Sequence, residues 1–214
     1  MITHTTNHVP DAEGKMIKLT TMQKLFGLSL ILSFFTVAVG MYAVSNLSRL
    51  SDDIDTLYSM HVKGLDAARA MNISALRILR EEKNIILTNE DAEIQRYLDI
   101  LAKERKVFEG MMQTLPKYFT SGEGKALCNN VLQSAQAWLA VHDKVVELGK
   151  TSDAAMNEQA QKLSTTQVRQ AMATMAQDIQ KIVDFKLMRT DQLNESSTRM
   201  YETSRLITII GIIA

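Results

Sequence analysis

The sequence predicts an all-α protein: an antiparallel, up-down-up-down four-helix bundle whose first and fourth helices are continuous with membrane-spanning helices. Three observations predict it. Leu25 to Val44 (LFGLSLILSFFTVAVGMYAV) carries no charge, and a helix of about 20 residues covers roughly 30 Å of hydrocarbon. The residues between this stretch and the apolar C-terminal end are rich in helix formers and contain one proline, Pro116. Within them, apolar residues recur at steps of three and four in four segments joined by short connections.

The apolar stretch reads as a transmembrane helix rather than a signal peptide. It exceeds the roughly 7–15 residues of a signal h-region, and Val44-Ser45-Asn46 runs directly into an amphipathic pattern without an A-x-A-like cleavage site. Lys15, Lys18 and Lys24 precede it, and Arg49 with Asp52, Asp53 and Asp55 follow. Basic residues near a span favour the cytoplasmic side, so residues 1–20 are expected as a cytoplasmic, mostly disordered tail, 21–46 as the span, and 47 onward outside. His4 and His8 have the i, i+4 spacing of a helical metal pair, but nothing around them predicts a helix. Leu206 to Ala214 (LITIIGIIA) is apolar and too short to cross a bilayer. It is expected as the start of a second, truncated span, which bounds the bundle at 47–205 and carries the chain back toward the cytoplasm.

Composition excludes several classes. The formal net charge is zero, which leaves no electrostatic footprint for nucleic acid. The single Cys128 excludes an intramolecular disulfide and reads as a small buried residue.

Taken in order, the first bundle helix follows Leu47, Leu50, Ile54 and Leu57. Its frame then meets His61, Gly64, Ala68, Met71, Ala75, Ile78, Glu82 and Ile85, a heptad seam with small and polar residues in its middle. It should end near Thr88, with Asn89 or Thr88 capping the second helix, Asp91 to Leu115. Pro116 stops that helix. The third runs from Gly124 to Leu148 and ends at Gly149. Thr151, Ser152 and Asp153 offer a cap for the fourth, whose seam is Val168, Met172, Met175, Ile179 and Ile182. The turns at 88–91 and 149–153 then lie at the far end, and the Pro116 turn faces the bilayer.

Catalytic chemistry is not evident. Gly122-Glu123-Gly124-Lys125 lacks the earlier glycine and the following Ser or Thr of a phosphate loop. The Glu-x-x-His pairs of di-iron bundles are missing, since Tyr58 precedes His61 by three and Leu139 precedes His142 by three. His61 reads as a polar core residue. Glu81-Glu82 reads as a solvated helix edge, because adjacent helical residues point about 100° apart. The expectation is a non-enzyme without cofactor or metal.

A short tail, a span, a four-helix bundle and a second span resemble the sensor half of a bacterial methyl-accepting chemotaxis receptor. The texture of "LYSMHVKGLDAARAMN", "LREEKNIILTNEDAEIQRY" and "SGEGKAL…ELGKTSD" carries the same resemblance. It implies a homodimer in the bacterial inner membrane with its bundle in the periplasm. It also implies a small-molecule ligand, an organic acid or amino acid, and cytoplasmic signalling partners reached through further sequence. Sensor histidine kinases and cyclases use the same bundle, so they remain alternative outputs.

In aspartate-type members, arginines of the first helix clamp a carboxylate and Thr/Gln groups near the start of the fourth complete the site. The resemblance therefore points to Arg69, Arg77 and Arg80, and to Thr165, Thr166 and Arg169 around Gln167. Arg69 and Arg80 fall on nearly the same face, about 16 Å apart along the axis. Guanidinium groups bind carboxylates bidentately and keep their charge, which supports the choice on chemistry alone. Arginine spacing, and Thr165 where the family has proline, depart from the aspartate pattern. The plain alternative pairs Arg77 and Arg80 with Glu81, Glu82 or Asp178. Tyr97 and Trp138 read as core residues or as an aromatic wall. Two rival functions stay open: docking of a ligand-loaded protein, which requires an apolar patch near Ile86, Leu87, Ala154 and Met156, and a structural stalk, whose seam would not be interrupted by His61 and Glu82.

Overall fold

The computed structural model describes residues 20–151 and 153–213, with no statement on the side chains of Ile212 and Ile213. The tail with His4, His8, Lys15 and Lys18, and the cap candidate Ser152, lie outside the described residues. Every element among the described residues is helical, and the chain is an all-α four-helix bundle.

Two compact units divide the described chain. One contains residues up to 46 and from 203. Its first helical residues are opened by a reciprocal cap, in which Thr20 N donates to Gln23 Oε1 at 2.9 Å and Gln23 N to Thr20 Oγ1 at 3.4 Å. The stretch beginning there is long and apolar enough to cross a membrane, and none of its most apolar part is buried. Phe26, Phe34 and Phe35 stand exposed. In the same unit Asn46 Nδ2 donates to Ser204 Oγ at 2.6 Å. Gly211 lies so close to Val39 that an added Cβ would sit 3.1 Å from Val39 Cγ2.

The second unit, Leu47–Glu202, is the bundle. The first helix reaches Leu87 after a π-helical turn at Leu57–Val62. The second, Asp91–Thr114, tightens into a 3-10 turn at Leu115–Tyr118, where Pro116 removes a helical donor. The third is Gly122–Gly149. The fourth is built from Ala154–Leu163, a π turn at Ser164–Val168, and Arg169–Ile213. Caps differ in detail from expectation. Glu90 occupies the N-cap of the second helix without a side-chain bond, while Thr88 Oγ1 accepts from Glu90 N at 3.3 Å. Ser121 caps the third, two residues earlier than expected, and Asp153 caps the fourth by accepting from Ala155 N and Met156 N.

The π turn of the fourth helix has a sequence cause. Its buried positions are Ala160, Ser164, Val168 and Met172, then Met175, Ile179 and Ile182. Three consecutive steps of four drift about 40° each on a helix turning 100° per residue. A wider π turn absorbs that drift and keeps all of them facing inward. Steps of 3-4-3 resume where the ordinary helix resumes.

The core is one continuous cluster running from Ala67 and Phe119 past Met71, Phe108 and Trp138 to Val145 and Ala160, with a smaller cluster of Ile85, Ile94 and Leu101 at one end. Phe108 meets Trp138 edge-to-face at 5.3 Å. Gly149 closes the far end, since a Cβ there would stand 3.3 Å from Ile86 and 3.4 Å from Ile85. Gly64, Ala68 and Ala75 are buried inside this bundle, where they let the helices of one chain approach.

Candidate functional site

Four polar side chains occupy inward positions of the helices in the half of the bundle that holds the 88–91 and 149–153 turns. Glu82 of the first helix is fully buried and holds two partners. Ser164 Oγ, at the start of the π turn, donates to Glu82 Oε1 at 2.5 Å. His142 Nδ1, from the third helix, lies 2.6 Å from Glu82 Oε2, with one hydrogen between them. Trp138, one turn before His142, stacks on its ring at 5.5 Å. Three helices are thus tied by one carboxylate. His142 Nε2 and Trp138 Nε1 are buried without a hydrogen-bond partner.

The neighbouring carboxylate is buried as well. Glu81, 2% exposed, accepts from Arg80 at 2.5 Å and from Asn84 Nδ2 at 3.0 Å. The reading of Glu81-Glu82 as a solvated edge is therefore corrected. The two side chains diverge by about 100°, as expected, but the other helices of the bundle pack around the first one closely enough to bury both directions.

A small cavity opens beside Ser164. Its volume is about 130 Å³ and its walls are Lys83, Ile86 and Leu87 of the first helix with Gln161, Ser164 and Thr165 of the fourth. Lys83 Nζ donates to Ser164 Oγ at 3.3 Å. A shallower groove on the other side of the fourth helix is lined by Ser134 and Ala137 with Gln167, Gln170, Ala171 and Thr174.

The residues selected from sequence are spread over several faces. Arg77 pairs with Glu104 of the second helix at 3.3 Å and Arg80 with Glu81. Arg69 and Arg169 are exposed. Asp178 pairs with Lys181 at 2.8 Å. Thr165 Oγ1 donates to the Gln161 and Lys162 carbonyls and Thr166 Oγ1 to the Lys162 carbonyl at 2.6 Å. Among the described residues, no hydrogen bond or ion pair joins a first-helix arginine to Thr165, Thr166, Gln167 or Arg169. Tyr97 is half-buried with the Arg96 guanidinium 4.7 Å from its ring, whereas Trp138 lies in the main core. The two rings belong to different clusters, and no shared aromatic wall forms.

A second polar cluster sits at the opposite end of the bundle. Lys186 of the fourth helix is 3% exposed, donates to the Tyr118 carbonyl, and holds its ammonium 4.3 Å from the Phe119 ring. Desolvation, with Arg189 as a lesser cause, lowers its pKa to about 8. The same burial raises the Cys128 thiol. His61, on the π turn of the first helix, is pushed below its ordinary value by burial and by the Lys186 and Arg189 charges, and its Nδ1 is buried without a partner.

Sequence reasoning passed over Lys83 and Lys186, weighed His142 only as a metal ligand, and read Ser164 within the Ser164-Thr165-Thr166-Gln167 segment without giving it a role. The signal that could have found three of them is a polar residue on an otherwise apolar inward frame: His142 between Leu139 and Val145, Ser164 between Ala160 and Val168, Lys186 beside Phe185. Lys83 sits on an exposed face, and only the cavity distinguishes it.

Among the described residues, no group of three His, Cys, Asp or Glu side chains is placed to hold a metal ion. Polar groups tie three helices together across the core of a helical bundle, and the first helix of that bundle continues into an exposed apolar stretch. A family described as a four-helix bundle sensory module for signal transduction, that of methyl-accepting chemotaxis proteins, matches residues 18–209, and the chain belongs to it. No curated protein and no solved structure matches the chain.

Proposed function

We propose that the chain is the sensor region of a transmembrane chemoreceptor. Residues 21–46 cross the bacterial inner membrane, residues 47–205 form a periplasmic ligand-binding bundle, and residues 206–214 begin a return span toward a cytoplasmic signalling domain. A small carboxylate-bearing ligand binds in the far half, and its binding displaces the fourth helix. The observation that carries this reading is that the sensory-module match, residues 18–209, takes in the uncharged Leu25–Val44 stretch, which lies on one continuous helix with the first helix of the bundle, Thr21–Leu87.

Dimerisation through the first helix has separate support. Val62, Ile73, Leu76 and Leu87 are exposed at 46%, 50%, 51% and 74%. Arg69 and Arg80 fall among them, following 69-73-76-80 at helical spacing. An apolar stripe of this kind is what a partner copy covers. It would bring Arg69 and Arg80 of two protomers together as a carboxylate clamp, with Arg77, Tyr97, Thr165, Thr166 and Arg169 as further candidates.

The test is a thermal-shift panel of organic acids and amino acids on the full chain in lipid nanodiscs. A ligand at about 100 times its Kd adds about 2.7 kcal/mol, or roughly 5–10 °C for a domain of this size. A carboxylate hit that is lost in Arg69→Ala or Arg80→Gln supports direct sensing. Exposed Leu87 and Met156 at the far turns favour one other reading, docking of a ligand-loaded protein. Silence across the panel moves the weight to it.

A further inference from the structure

The cavity beside Ser164 lies within one chain, at the edge of the arginine stripe, which it shares through Leu87, and its walls have a definite chemistry. Lys83 and Ser164, with Gln161 and Thr165 beside them, form a polar side, Ile86 and Leu87 an apolar side, and no acidic side chain lines it. Its volume of about 130 Å³ is close to that of a cavity of about 150 Å³ that accommodates benzene, so an occupant has about six heavy atoms or fewer. One ammonium and one hydroxyl suit a single carboxylate. A second carboxylate would be pressed against Ile86 and Leu87 or toward Glu82, which stands directly behind Ser164. The ammonium of an amino acid would find no counter-charge in the lining.

We propose that this cavity is a second, intra-protomer binding site for short monocarboxylates of about three to five carbons, and that its occupant competes with Glu82 for the Ser164 hydroxyl. The inference rests on the sensor reading only in taking the bundle to be a receiver of small ligands. Ser164 Oγ–H donates to Glu82 Oε1 while Lys83 Nζ donates to Ser164 Oγ. A bound carboxylate accepts from both Lys83 and Ser164, and its alkyl part packs on Ile86 and Leu87. Glu82 then keeps only His142, and a buried acceptor that loses a partner drives rearrangement around it. Ser164 is also the first residue of the π turn. A π turn holds one surplus residue per turn, so relaxing it shifts the rest of the helix along its axis. The site is therefore wired to the element whose displacement would carry a signal.

The experiment measures butyrate binding to the full chain in nanodiscs by calorimetry, with succinate, glutamate and butanol as comparison probes. The expected result is butyrate binding at least 10-fold tighter than any of the three, weakened at least 10-fold in Lys83→Met and unchanged in Lys106→Met. Lys83 and Lys106 are both exposed, so neither change threatens folding. Butyrate should also alter amide hydrogen exchange across residues 161–169 in the wild type but not in Ser164→Ala. Carboxylate binding that is lost in Arg69→Ala and indifferent to Lys83→Met overturns this site while leaving the sensor reading intact. Failure of every small ligand overturns both. Butyrate binding without any change in exchange at 161–169 overturns the competition for Ser164.

Discussion

The two ends of the bundle bury charge in opposite ways. At the far end Glu82 is fully enclosed but has a donor on each oxygen, Ser164 and His142, and Glu81 has Arg80 and Asn84. At the Pro116 end Lys186 is almost as deeply enclosed, yet its partners are a backbone carbonyl and the face of Phe119, with Arg189 adding like charge nearby. A buried charge that is fully hydrogen-bonded fixes register, because any slip of one helix strands it. A buried charge without a counter-ion instead makes stability depend on pH. One end of the same bundle is thus built as a clasp and the other as a titratable joint.

The largest expected effect breaks the clasp. Glu82→Ala or His142→Ala should cost about 3–5 kcal/mol, read as a drop in Tm by circular dichroism, because each leaves a buried polar partner stranded. Glu82→Leu combined with His142→Leu should recover most of that loss. If the single changes cost no more than a surface substitution, the clasp carries no stability.

Lys186 sharpens the other half of the comparison. Its folded pKa, about 8, lies below the ordinary lysine value of 10.5. Folding therefore disfavours the charged form, and the penalty is complete below about pH 8 and gone above about pH 10.5. That penalty is on the order of 3 kcal/mol, offset by about 1 kcal/mol from the bond to Tyr118. Lys186→Met should be more stable than the wild type at pH 7 by about 1–2 kcal/mol and less stable above pH 10.5 by about 1 kcal/mol. Equal pH profiles for the two proteins would show that the amine is not desolvated.

The smallest effect separates two glycines. An added Cβ at Gly64 meets Lys186 Cε at 3.0 Å and Tyr118 Cβ at 3.1 Å, while at Gly110 it meets nothing within 4 Å. Gly64→Ala should destabilise by about 1–2 kcal/mol in the pH 7 melt, with part of the loss relieved in the Lys186→Met background. Gly110→Ala should stabilise by about 0.5–1 kcal/mol through helix propensity alone.

The sequence by itself determined the helices, their order and their inward faces, because period and breakers are local. The seam Val168, Met172, Met175, Ile179 and Ile182 is buried throughout, and Pro116 ends the second helix within two residues of the expected place. What each polar residue does was decided only by the tertiary structure. Glu82 was visible as an interruption of a seam, but its partners lie 60 and 82 residues away on other helices. Arg77 and Arg80 looked equivalent, three residues apart. The packing turns one toward Glu104 of the second helix and the other onto buried Glu81. A cavity such as the one beside Ser164 is the gap left between two helices after packing. It follows from the juxtaposition of residues 83–87 with 161–165, which no local pattern encodes.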